Sequence, residues 1–251
     1  MRAYLIFFIL LFTLSNSFSQ IGSYFITNYS PIDYNGSNQV WDIVQDNRGV
    51  MYFASDQILE YDGVRWRKIP VSNNSTIRSL AVDTSTNIIY VGGINQFGYL
   101  SPDSTGQLNY ISISDDLDSN KQNFDDVWRT EVGSDGVYFS TNNSLFRYSL
   151  KDELAGKSPL TIWSQSFFLL YKIKNRIFTG VRGKGIVEVV GDSLIPLKHN
   201  SDKDNLFTWF MFPYHKDKYL LGNSRSGITI YDPKSQVDHY LLKHLISIAL
   251  P

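Results

Sequence analysis

The sequence has no cysteine. That excludes disulfides, thiolate metal sites, a cysteine nucleophile and a cysteine-linked lipid anchor. It also lacks a charge excess of either sign: 23 Lys and Arg stand against 24 Asp and Glu, a formal net charge of −1. Nothing in that balance points to nucleic acid or an anionic membrane surface as partner. Histidine is scarce, with only His199, His215, His239 and His244. None of these has an i, i+4 histidine with a glutamate on a helical pattern, so zinc is not expected and no cofactor is implied. No long stretch reads as an amphipathic helix, and beyond residue 20 no apolar run approaches the length of a membrane span. What is abundant is aromatic, with 16 Tyr, 16 Phe and 5 Trp in 251 residues. Aromatic side chains suit a pleated, half-buried surface, so the composition leans all-β.

The N-terminus reads as an address. Arg2 precedes an apolar run from Tyr4 to Leu14, and Ser15, Ser17 and Ser19 then place small residues two apart. That order is the pattern of a secretory signal peptide over residues 1–19, with residues 20–251 as the mature chain. The expected location is therefore exported, periplasmic or secreted, with no membrane span in the mature chain. A buried core helix or a membrane anchor is the plainer alternative for the same run. An exported chain without disulfides must rely on its own core, which favours one large sheet-rich domain.

Laid on itself, the rest of the sequence repeats. Units of four short apolar segments separated by polar turns occupy residues 40–71, 77–113, 127–163, 168–197 and 207–242. The second segment of each unit is anchored by Tyr52, Tyr90, Tyr138, Ile177 and Tyr219, spaced by 38, 48, 39 and 42 residues. A period near 40 with four strands per unit is the signature of a β-propeller blade. A four-stranded blade has two apolar faces and cannot bury them alone, so neighbours must stack. The fold class expected is an all-β propeller of about five four-stranded blades, in preference to a β-sandwich. Five blades could close a ring, with residues 24–29 as a closing strand, or the chain could stop partway through a larger one. Sequence leaves both open.

Residues 40–53 (VWDIVQDNRGVMYF) and 58–66 (ILEYDGVRW) resemble the two-component regulator propeller repeat. Residues 90–99 (YVGGINQFGY) and 124–128 (FDDVW) resemble the second and third blades of its larger members. The resemblance is specific in the first three units and loose in the last two. It implies an exported sensor region whose blades precede a triple-tyrosine β-sandwich, a membrane helix and a kinase or helix-turn-helix output. Those output elements have no counterpart in this sequence. The expected function is therefore the ligand-sensing part of a bacterial signal-transduction regulator. Its signal would be a small molecule or oligosaccharide, and its partners either downstream sensor domains or a second copy of itself. The alternative is a secreted propeller acting alone on carbohydrate, as a binder or a hydrolase.

The first strand of each blade lines the propeller axis, and the loops leading into it form one concave face. Matched positions there hold Trp41, Arg78, Trp128 and Trp209, with Arg129 beside them. Three indoles and a guanidinium suit stacking on a sugar or engaging an anion. The competing reading is that the tryptophans only pack between blades. No catalytic residue is expected. Hydrolysis would need two carboxyl groups about 5–9.5 Å apart, and Asp42, Glu131 and Asp126 are picked out by no motif. The acidic insert with Asp115, Asp116, Asp118, Asp125 and Asp126 lacks the spacing of a calcium loop and reads as a solvated connection. The glycines from Gly180 to Gly185 have no following helix to cradle a phosphate, and read as a hairpin turn.

Overall fold

The computed structural model describes Gly22 and residues 25–154, 159–197, 208–223, 227–235 and 237–242. The expected signal peptide, residues 1–19, lies outside the described residues. Two units divide the chain, Met1–Ser30 and Pro31–Pro251. In the first, residues 25–30 have no regular secondary structure, and Phe25 and Ile26 are exposed. The closing strand expected over residues 24–29 is thus not formed at its described residues.

The second unit is five four-stranded antiparallel sheets, each in simple sequence order. Blade one is β1 (Asp42–Gln45), β2 (Met51–Ala54), β3 (Ile58–Tyr61) and β4 (Trp66–Ile69). Blade two is β5 (Ile77–Asp83), β6 (Ile88–Gly93), β7 (Gln96–Pro102) and β8 (Leu108–Ser112). Blade three is β9 (Arg129–Val132), β10 (Val137–Ser140), β11 (Ser144–Tyr148) and β12 (Leu160–Ser164). Blade four is β13 (Phe167–Ile173), β14 (Arg176–Val181), β15 (Gly185–Val190) and β16 (Ser193–Pro196). Blade five is β17 (Thr208–Pro213), β18 (Tyr219–Asn223), β19 (Gly227–Asp232) and β20 (Val237–Leu242). Among the described residues two short α-helices interrupt this pattern, α1 (Pro31–Tyr34) ahead of blade one and α2 (Leu150–Leu154) between β11 and β12. The glycines at 180–185 form the β14–β15 hairpin turn, with Gly183 at φ +76° and no helix behind it.

First strands of successive blades lie side by side, and the blades form a propeller whose ring does not close. Burial along the strands follows from that. In β10 of blade three all four residues are buried, because blades two and four cover both faces. In β2 of blade one, Tyr52 and Ala54 are buried but Met51 and Phe53 are only half so. β19 of blade five alternates in the same way. A sheet covered on one face shows the period-2 pattern, and one covered on both loses it.

Four apolar clusters fill the four junctions. Tyr52, Ile58, Leu80 and Val91 join blades one and two. Phe97, Phe139, Phe146 and Val127 join two and three. Tyr138, Leu145, Ile177 and Val187 join three and four, and Phe178, Ile186, Tyr219 and Leu221 join four and five. All five second-strand anchors are in these clusters or packed with them, and all are buried. A buried phenol needs a partner for its hydroxyl, and the turn before the second strand supplies one. Tyr52 donates to Asp46 Oδ2 at 3.3 Å, and Tyr138 donates to Asp135 Oδ1 at 2.9 Å.

Asp46 shows how tightly such a turn is built. Its carboxylate also accepts the backbone N–H groups of Arg48 and Val50 at 2.9 and 3.0 Å, and Arg48 Nε at 2.9 Å. Burial works to raise its pKa, but the Arg48 and backbone hydrogen bonds outweigh it, and the carboxyl titrates below its usual 3.8. A carboxyl with a depressed pKa in the folded state stabilises above the unfolded value, and the gain is lost as pH falls through the folded one. Asp46→Asn is therefore expected to cost about 2 kcal/mol at pH 7, the range of charge-assisted hydrogen bonds. The gap to wild type should shrink below about pH 4. Urea midpoints at pH 7, 5 and 3 measure it; a gap as wide at pH 3 as at pH 7 would mean the charge is not its source.

Candidate functional site at the starts of the inner strands

One main-chain hydrogen bond recurs at three of the junctions. A residue at or just before the start of an inner strand donates to the hairpin turn of the preceding blade: Ile77 N to Ser55 O at 2.8 Å, Val127 N to Gly93 O at 3.1 Å, Phe167 N to Asn142 O at 3.0 Å. Ile77, Val127 and Phe167 are themselves buried. Because successive side chains of an extended chain point to opposite sides, the next residue turns out of the core. Those residues are Arg78, Trp128 and Phe168. In blade five, buried Thr208 is likewise followed by exposed Trp209. In blade one, Trp41 precedes β1 and its N–H is held by Ala54 O at 2.8 Å. Each blade thus presents one large side chain at the same place, four aromatics and one arginine.

Three of them meet. The Arg78 guanidinium carbon sits 4.1 Å from the centre of the Trp41 ring and 5.1 Å from that of Trp128. The two indoles, from blades one and three, are edge to face with centroids 5.9 Å apart. Such a cation–π pair contributes roughly 0.5–2 kcal/mol, more as water is excluded. The Arg78 side chain is only 15% exposed, and its Nε donates to Asp126 Oδ1 at 2.5 Å. Its two Nη groups have no hydrogen-bond partner among the described residues, and neither is a buried orphan. The result is a planar cation fixed on one edge and packed against two indoles that also touch each other, with a donor fork left over.

Trp209 is placed elsewhere on the rim. Its ring meets Phe168, edge to face at 5.5 Å, and it remains 56% exposed. Arg129 is exposed and joins neither group; its charge acts on Glu131 and Tyr171. Of the five residues expected from sequence, Trp41, Arg78 and Trp128 come together, while Trp209 and Arg129 lie outside that cluster.

Two members of the rim escape the sequence reading. Phe168 holds the blade-four position, and the Phe167–Phe168 pair, aligned with Val127–Trp128, is the signal that marks it. Asp126 carries no such signal, being 48 residues from Arg78. It is delivered by the acidic insert, which is not simply solvated. Leu117 and Phe124 of the insert are buried in the junction of blades two and three. Asn95, at φ +53°, accepts the N–H groups of Phe124 and Asp125 on its side-chain oxygen at 2.8 and 2.7 Å. Asp115 accepts Gln96 Nε2 at 2.8 Å, so only part of the insert faces water alone.

Below the rim the inner strands are cross-linked. Ser79 Oγ lies 2.8 Å from both Val127 O and Thr130 Oγ1. Asp42 Oδ2 accepts the Leu80 N–H at 2.9 Å, tying blade one to blade two. Burial pushes the Glu131 carboxyl up, with Lys172 and Arg129 pulling against it and Asp42 adding to it. Asp42 and Asp126 are therefore both engaged in holding the strands and the arginine. No cluster of His, Asp or Glu able to hold a metal ion occurs among the described residues, and none of their helices is long and apolar enough to cross a membrane.

No protein-family model and no curated protein matches the chain. Solved structures do. The extracellular domain of BT4673 from B. thetaiotaomicron, described as that of a one-component system, aligns over 82% of this chain at TM-score 0.60 and 16% identity. A second structure of it, described as from a hybrid two component system, aligns over 82% at TM-score 0.57 and 17% identity. This chain spans 28% of the length of either one. At such identity the likeness is one of fold: this chain is built like part of the extracellular domain of BT4673.

Proposed function

We propose that this chain is the extracytoplasmic, ligand-sensing propeller region of a bacterial signal-transduction regulator, exported and without catalytic activity of its own. The observation that carries the reading is the arginine packed against two touching indoles at the mouth of the inner strands. The likeness to extracellular domains of such a regulator supports the setting. An exposed aromatic rim with one pre-oriented guanidinium fork fits a ring-shaped polar ligand. Indole faces stack on the apolar side of a sugar, and the fork meets its oxygens. An oligosaccharide or a small molecule of similar shape is the ligand class proposed. The non-catalytic reading draws support from Asp42 and Asp126, since a glycosidase pair needs two carboxyl groups free to face the scissile bond.

The test is a panel of neutral and uronate oligosaccharides titrated by calorimetry. A member that binds wild type should bind Arg78→Lys and Trp128→Ala at least about tenfold more weakly, a loss of about 1.4 kcal/mol. The lysine variant can still pair with Asp126 but has neither the planar face nor the fork. If a panel member binds and both folded variants retain full affinity, the ligand docks elsewhere. Turnover of any member by the purified chain would overturn the non-catalytic reading.

A further inference from the structure

At the opposite end of the strands, blades four and five enclose a separate concavity. The turn after β13, the segment linking β17 to β18 and the turn after β19 surround about 230 Å³. Its charge is one-sided. Lys174, Arg176, Lys216, Lys218 and Lys234 line it against only Asp217 and Asp232, in a chain whose net charge is −1. The two carboxylates are already engaged, Asp217 with Lys174 at 2.9 Å and Asp232 with Lys218 at 3.2 Å. Arg176 is held by Glu188 and by the Tyr219 hydroxyl. The ammonium groups of Lys216 and Lys234 make no hydrogen bond or ion pair among the described residues, although the charge of Lys234 also acts on Asp217. Backbone geometry contributes to their placement. Lys216 and Asp217 both take left-handed φ, 55° and 65°, and Asp232 Oδ1 accepts the Lys234 N–H at 2.9 Å. Pro213, Pro233 and the half-exposed Tyr214 complete the wall of the cleft.

We propose that this cleft is a second binding site, specific for a small multivalent oxyanion bearing sulfate, phosphate or clustered carboxylates. Lys216 and Lys234 supply the direct contacts, Lys174 and Lys218 the background charge, and Tyr214 a platform for whatever the anionic group is attached to. The volume suits a compact solute and is small for a drug-sized one. The site shares no residue with the aromatic rim, so it does not rest on the function proposed above.

Sodium sulfate, sodium phosphate and sodium citrate, each titrated at constant ionic strength with chloride as the balance, decide it. At least one should bind saturably, with affinity falling as sodium chloride is raised. The double variant Lys216→Asn, Lys234→Gln should weaken that binding tenfold or more. Asparagine is chosen because it tolerates the left-handed backbone at 216. Trp128→Ala should leave the affinity unchanged, which separates this site from the rim. The single variant Lys234→Gln, on an exposed turn, gives a threefold or greater loss if the double variant does not fold. The preferred anion identifies the class. Responses that never saturate, that chloride reproduces, or that survive Lys234→Gln undiminished overturn the proposal.

Discussion

Phe97→Ala is expected to destabilise the protein by about 3–5 kcal/mol, the cost of emptying a fully packed aromatic site. Phe97 lies on β7 with no solvent exposure. Its ring stacks on Phe139 with centroids 4.5 Å apart, and meets Phe146 at 4.9 Å and Phe124 at 5.4 Å. Each such pair contributes roughly 0.5–1.5 kcal/mol beyond area burial. One side chain therefore joins blade two to two strands of blade three and to the insert. In an array whose units rely on nearest neighbours, a weakened junction uncouples what lies on either side. The urea transition should accordingly broaden as well as shift. Phe212→Ala is the contrast, since that ring is 55% exposed and, among the described residues, stacked on Phe210 alone; a change within about 1 kcal/mol is expected for a surface position. A Phe97→Ala protein within 1 kcal/mol of wild type would mean that blades two and three do not meet through this ring.

The blade repeat was legible because stacking imposes it. Each second strand must place one bulky side chain in the junction, so Tyr52, Tyr90, Tyr138, Ile177 and Tyr219 recur at nearly fixed spacing. Arg78 and Trp128 were legible for a related reason, since each follows a buried residue at the approach to an inner strand, and Trp41 holds the matching place ahead of β1. What brings them into contact was not. Arg78 reaches Asp126 through an insert whose fold depends on Asn95 and on burial of Leu117 and Phe124, contacts with no period and no motif. Trp209 shares the position but not the cluster, since it meets Phe168 of its own neighbouring blade. Closure of the ring was equally illegible, because a strand-like stretch at residues 24–29 reads the same with or without an edge to pair with. The difference shows only in burial, where β2 and β19 alternate and β10 does not.

A second large effect is expected at Gly98, for a reason unrelated to backbone conformation. Gly98 pairs with Val91 on one side and Ser112 on the other, so it is interior to blade two. A Cβ built there would lie 2.0 Å from the carbonyl oxygen of Ile111 and 2.9 Å from the Tyr110 ring. The ring has no easy retreat, because its hydroxyl donates to Gln96 Oε1 at 2.9 Å. Nor has the carbonyl, which belongs to the β7–β8 ladder. Tyr110 fills the space a side chain at 98 would take, an arrangement in which an aromatic neighbour shields a strand glycine. Gly98→Ala should therefore cost about 3 kcal/mol, the upper part of the range for overpacking. Gly106→Ala separates close approach from backbone strain: Gly106 has φ +85° but nothing within 4 Å of its Cβ position, so only the left-handed penalty of roughly 1–2 kcal/mol applies. Urea unfolding of the two variants side by side measures the difference. A Gly98→Ala protein no less stable than Gly106→Ala would show that β7 and β8 do not approach at this point as closely as the ladder requires. Because β7 also carries Gln96 and Phe97, a shift of that strand would loosen the junction on which the insert, and with it Asp126, is seated.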